Sequence, residues 1–149
     1  MAIRLPVWVI NLTSIALLVA CRAAVMPTPV EVTPPKPPLT ILKAVTSRRV
    51  DSNYAPTDVT SRFLPTEIFY CSILVADVEQ DSTIVTRWYF GEELVREISF
   101  SIKEQGSGYV AFELTSDLPW PKGVYRVDIL SGGIVMRSIE FQVVSEATN

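Results

Sequence analysis

Residues 39–149 predict an all-β fold, an antiparallel β-sandwich of about seven strands. Three observations carry that prediction. Apolar residues recur with a period of two along successive runs, the pattern of strands with one face in a core and the other in water. Turn-forming segments separate the runs at intervals of about 11–15 residues, a spacing suited to an all-β sandwich. No window of comparable length carries the i, i+3, i+4 apolar spacing of a helix. A stretch of about 110 residues can bury roughly 65% of its unfolded surface in one core.

The strands follow in order. The first is expected near Thr40–Arg48. Phe69, Cys71, Ile73 and Val75 alternate in the next, followed by Ile84, Thr86, Trp88 and Phe90. Ile98, Phe100 and Ile102 make a further run, then Val110, Phe112 and Leu114, then Tyr125, Val127 and Ile129. Ile139, Phe141 and Val143 close the chain. Arg87, Glu97, Ser99, Glu113, Arg126, Asp128 and Glu140 fill the intervening, water-facing places. Asp77–Ser82 reads as a polar loop and Gly91-Glu92 as a hairpin turn. Gly106–Gly108 is expected to separate two strands, and Asp117–Gly123 to form a proline-bearing connection. Gly132-Gly133 is a two-residue hairpin turn, where positive φ is needed and glycine supplies it.

The 149 residues include no histidine, two cysteines, and 13 Lys+Arg against 16 Asp+Glu. Without histidine there is no Ser-His-Asp triad, no Cys-His pair and no His-ligated metal. Two cysteines build neither a tetrahedral thiolate site nor a disulfide framework. A net charge of −3 provides no basic footprint for nucleic acid. No metal, cofactor or enzymatic activity is expected.

The amino terminus sets the expected location. Arg4 precedes an uncharged stretch from Leu5 to Ala20, shorter than the roughly 20 apolar residues a spanning helix needs. It ends Leu18-Val19-Ala20-Cys21. These four residues resemble the lipobox of bacterial lipoproteins. The resemblance implies a signal peptide over 1–20, cleavage between Ala20 and Cys21, and a diacylglyceryl group with fatty chains such as palmitate on Cys21. Two acyl chains suffice for stable anchoring where one does not. The implied location is the cell membrane or outer membrane, on the extracytoplasmic side. Removing Arg4 with the leader leaves 12 basic and 16 acidic side chains, net −4, so the body has no electrostatic reason to lie flat on anionic lipid.

Residues 21–38 read as a disordered Pro-rich linker. Six of the twelve residues from Pro27 to Pro38 are proline; each fixes φ and removes a donor, which rules out helix and central strand. Extended polyproline II at about 3.1 Å per residue would hold the following domain clear of headgroups. No P-x-x-P flanked by arginine is present for an SH3-like groove.

The sandwich resembles the immunoglobulin-like fold through a few residues. Trp88 lies mid-strand where that family places its core tryptophan. Gly123-Val124-Tyr125 resembles the start of a strand whose tyrosine hydroxyl bonds back to the corner loop. Cys71 lies on the strand of the first core cysteine, but Val127 stands two residues after Tyr125. The antibody-type disulfide is therefore absent, and Cys71 is expected to be a buried free thiol.

Several residues are candidate contacts. Tyr70 and Tyr109 fall on the outward parity of strands that neighbour each other in immunoglobulin-like topologies. Exposed aromatics stack on sugars or anchor a protein partner. Ile68 and Leu74 share the outward side, so the strand 67–76 needs a cover, which residues 51–65 provide through Phe63 or Tyr54 or which a partner provides. Trp120, between Pro119 and Pro121, is either a contact or a plug at the end of the sandwich. Asp77, Glu79 and Asp81 alternate as carboxylates, but Ser82 and Trp88 stand where an EF-hand requires Gly and Glu. Arg48-Arg49 reads as a solvated strand end. The expected function is an envelope lipoprotein presenting a non-catalytic domain for protein–protein interaction or assembly. The alternative is a carbohydrate-binding module at the cell surface using Tyr70, Tyr109 or Trp120.

Overall fold

The computed structural model describes residues 37–79 and 81–145. The expected signal peptide, Ala20, Cys21 and most of the proline linker lie outside the described residues. The described chain is all β: β1 (Thr40–Ser47), β2 (Arg62–Phe63), β3 (Phe69–Val78), β4 (Ser82–Phe90), β5 (Glu93–Ile102), β6 (Gly106–Leu114), β7 (Gly123–Ser131) and β8 (Ile134–Val143). No helix among the described residues is long and apolar enough to cross a membrane. Seven strands are the expected alternating runs. The eighth, β2, is two residues long, too short to show a period.

The strands form two sheets, one of three in the order β1-β3-β6 and one of five in the order β2-β8-β7-β4-β5. The ladders are antiparallel except β2 with β8, which is parallel. Pro38 fixes the entry of the chain, its carbonyl accepting from Glu79 N at 3.0 Å and Ser82 Oγ at 3.1 Å.

The alternating positions meet between the sheets. Phe69, Cys71, Ile73, Ile84, Trp88, Val127 and Ile129 are fully enclosed. At one end of the sandwich the filling is aromatic. Phe69 lies 4.8 Å from Phe63, 5.1 Å from Phe141 and 5.7 Å from Tyr125 between ring centroids, within the range of favourable ring pairs. The Tyr125 hydroxyl donates to Pro121 O at 2.8 Å, so the one polar atom of a buried ring is satisfied. Gly123 makes the approach possible: its φ is +149°, and a Cβ there would lie 2.8 Å from the Phe90 ring. The two-residue turn at Gly132-Gly133 has φ of +58° and +78°, as a right-twisted hairpin requires.

Three local expectations are corrected. Gly106–Gly108 belongs to β6 rather than to a turn, with Gly106 opposite Val78 and Gly108 opposite Val75; the chain reverses at 103–105. Phe63 does not cover the outer side of β3. Its strand joins the five-stranded sheet beside β8, which aims the ring between the sheets. The segment 51–65 does reach β3, but through backbone: Ser72 Oγ donates to Tyr54 O at 2.6 Å and Ser72 is fully buried, while the Tyr54 ring stays exposed. Finally, Phe100 has core parity yet is 49% exposed. A three-stranded sheet does not reach across a five-stranded one, so the inward side of the last strand overhangs.

Candidate functional site: the open flank between the sheets

The overhang opens a largely apolar cleft in the described domain. At one flank β1 approaches β8. At the other, β5 ends one sheet and β6 ends the other, and between them lies a cleft of about 370 Å³. Phe100 and Ile102 line it from β5, and Tyr109 and Val110 from β6. Val75 and Val78 form its floor, and 103–105 close its end. Gly106 and Gly108 widen it, since a Cβ at either position would meet nothing within 4 Å. Phe100 is held edge-on to Phe112 at 6.4 Å.

The strand beside this cleft is itself exposed. Leu94, Val95 and Phe100 are 49%, 40% and 49% accessible. Val95 is an extra residue, because Arg96 pairs with Trp88 and Leu94 with Tyr89. Such a bulge adds local twist and leaves its residue unpaired. Sequence reasoning missed this site. The alternation in Ile98, Phe100 and Ile102 was legible, but their cover depends on how many strands the facing sheet contributes.

The candidates named from sequence are placed as follows. Tyr70 and Tyr109 share the outer side of β3 and β6. They pair with Glu113 and Leu74 respectively, four register positions apart or roughly 13 Å along the strands. Both are half-buried, and Tyr109 also borders the cleft. Burial first, and then the facing Glu113 carboxylate, push the Tyr70 hydroxyl above its ordinary pKa. Trp120 packs on the inner side instead. Its ring stacks on Phe69 at 4.9 Å and its Nε1 donates to Glu67 O at 3.1 Å. The three aromatics therefore do not share a platform. Cys71 is a free, buried thiol, pushed up to about 12 by burial; at that value it is protonated and unreactive at neutral pH.

Arg48 is not a solvated strand end. It ties down the long excursion between β1 and β3, with Nε donating to Glu67 Oε1 at 2.8 Å and Nη2 to Arg62 O at 2.6 Å. Glu67 in turn accepts from Leu64 N at 2.6 Å. The outer side of the five-stranded sheet carries its own polar ladder. Arg87 pairs with Glu97 at 2.6 Å. Arg126 lies 4.4 Å over the Tyr89 ring and 3.1 Å from Asp128 Oδ1, though off the line of a hydrogen bond. Ser138 donates to Asp128 at 2.7 Å.

Asp77 and Asp81 turn to separate partners, Thr40 and Lys103, each at 3.2 Å. Among the described residues no group of three or more His, Cys, Asp or Glu side chains could hold a metal ion.

No protein-family model matches the chain, and no curated protein matches it. Among solved structures, a β-glucosidase from Listeria innocua in complex with glucose is 13% identical with a TM-score of 0.44. The match covers 70% of this chain and 15% of that enzyme, so this chain spans a small part of its length. A likeness that slight assigns neither fold family nor activity.

Proposed function

We propose that this protein is a bacterial envelope lipoprotein whose sandwich is an immunoglobulin-like, non-catalytic protein-contact domain. The immunoglobulin-like reading is supported by the strand order, by Trp88 enclosed between the sheets, and by the Tyr125 hydroxyl returning to Pro121 O. These are features of that architecture. Anchoring rests on Leu18-Val19-Ala20-Cys21, with the fatty chains on Cys21 holding the domain outside the cytoplasm.

The observation that carries the contact role is β5: a ten-residue edge strand on which Leu94, Val95 and Phe100 are half-exposed, with Phe100 lining an open cleft. Exposed apolar clusters on otherwise polar domains mark interaction surfaces. Protein contact is preferred to carbohydrate binding because Tyr70, Tyr109 and Trp120 do not form one stacking surface. Two measurements test the proposal. Mass spectrometry of the native protein should find an amino terminus at a lipid-modified Cys21; a bare thiol, or a chain starting at Met1, would remove the anchor. Cross-linking on intact membranes should give protein adducts from a photoreactive group at Leu94, and none from one at Lys43 on β1. Equal yields from both would remove the contact site.

A further inference from the structure

We propose that residues 48–58 form a hinged flap, which swings off the outer side of β1 and β3 in the folded protein and uncovers Ser47 and Ser72. The flap belongs to the three-stranded sheet and is independent of the contact at β5. The segment is a hairpin bonded within itself. Arg48 N donates to Asp58 O at 2.9 Å, Thr57 N to Arg49 O at 3.1 Å and Asp51 N to Ala55 O at 2.9 Å. Asp51 Oδ1 accepts from Asn53 N and Ala55 N at the tip, and Asp58 pairs with Arg48 and Arg49. These bonds travel with the hairpin, so swinging it breaks none of them.

The base and the tip are held differently. At the base, Thr60 N donates to Thr46 O at 3.0 Å and Thr46 Oγ1 donates to Thr60 O. Arg48 adds its bonds to Glu67 and Arg62 O there. Among the described residues one hydrogen bond joins the tip to the sheet, from Ser72 Oγ to Tyr54 O. The underside is polar. Thr46 and Cys71 pair with each other and are buried, so Ser47 and Ser72, next along their strands, lie on the outer side. Both are fully enclosed. Ser72 is satisfied by Tyr54 O, whereas Ser47 Oγ has no hydrogen-bond partner among the described residues. A buried hydroxyl without a partner disfavours the closed state, because opening returns it to water.

Little apolar surface opposes that effect. No residue from 51 to 60 is buried, and Tyr54 and Val59 are more than half exposed. Segments with few buried apolar contacts open at low free energy. A single tip bond, an unpaired hydroxyl beneath and no buried anchor together leave the closed state only slightly favoured. Opening adds Ser72 to the outer side of β3, where Leu74 pairs with Tyr109, so the area that side offers a partner changes with the flap.

Cysteine labelling of the full-length protein reads the opening. Ser47→Cys removes no hydrogen bond, and the buried Cys71 serves as internal reference because global unfolding alone exposes it. Treated with iodoacetamide in buffer and mapped by peptide mass, Ser47→Cys should be modified at position 47 while Cys71 stays intact until urea unfolds the domain. Adding Ser72→Ala, which removes the tip bond, should raise the rate at position 47 about fivefold, the effect of one hydrogen bond on the opening equilibrium. Modification at 47 only together with Cys71, or a rate unchanged by Ser72→Ala, overturns the proposal. Wild type guards against misfolding of the variants: amides bonded within 48–58 should exchange about tenfold or more faster than those of β4, and equal exchange also overturns it.

Discussion

The two flanks of the sandwich start from the same alternating code and finish differently. At the β1–β8 side the chain leaves β1, makes a long excursion over residues 48–68, and threads Phe63 between the sheets before entering β3. Arg48 and Glu67 fasten that excursion from outside, and Phe63, Phe69, Phe141 and Tyr125 fasten it from within. At the β5–β6 side a three-residue turn joins the strands and no described segment threads between the sheets; Phe100 meets Phe112 edge-on at 6.4 Å. Phe69 and Phe100 are both inward-facing phenylalanines on ten-residue strands, yet one is fully buried and the other 49% exposed. Parity decides which way a side chain points; the facing sheet decides whether anything meets it.

The contrast is sharpest in truncation. Phe69→Ala should destabilise the domain by about 3–5 kcal/mol, the usual result for an enclosed aromatic ring. Phe100→Ala in the monomeric domain should cost about 1 kcal/mol, since half of its surface is already in water. Urea midpoints at constant m would measure both. Equal losses would mean that the β5–β6 flank is closed in solution.

Alkaline pH probes the closed interior next. Burial raises the Cys71 thiol from 9.0 to about 12 and the Tyr125 hydroxyl from 10.0 to about 12. Above pH 9 the unfolded chain releases the thiol proton while the folded chain retains it. Stability is therefore complete below pH 9 and falls as pH rises toward 12, with the tyrosine joining above pH 10. The thiol alone should remove about 2 kcal/mol by pH 10.5. Urea titrations at pH 8 and 10.5 should show that loss in wild type and a smaller one in Cys71→Val.

How much of this could be read from the residues follows the same division. The long strands, the hairpin turn at Gly132-Gly133, the free Cys71 and the returning Tyr125 hydroxyl were legible because each depends on local periodicity or on a short stretch of chain. Phe63 and Arg48 were misjudged because their partners lie on strands distant in sequence: β8 for the ring, and Glu67 beyond the excursion for the guanidinium. The cleft was not legible at all. It arises from a mismatch between three and five strands, a property of pairing that no single run encodes.

The smallest expected effects separate the two fastenings of the closed flank. Arg48→Ala removes the bonds to Glu67 and to Arg62 O, and should cost about 2 kcal/mol because charged partners are involved. The loss should be local: amide exchange should quicken across 51–65, whose cover over Ser72 depends on that excursion, and stay slow in β4 and β7. Tyr125→Phe keeps the ring between Phe141 and Phe69 and deletes one hydrogen bond, leaving Pro121 O without its donor, at a cost of about 1 kcal/mol. Here the exchange should quicken across 115–122 instead, the connection that carries Trp120. If either substitution loosened both segments together, the excursion and the 115–122 connection would be one cooperative unit, held by Trp120 N donating to Pro65 O at 2.8 Å. The closed flank would then owe its order to that backbone bridge, to the Trp120 Nε1 bond to Glu67 O and to the Trp120 ring on Phe69, rather than to separate fastenings.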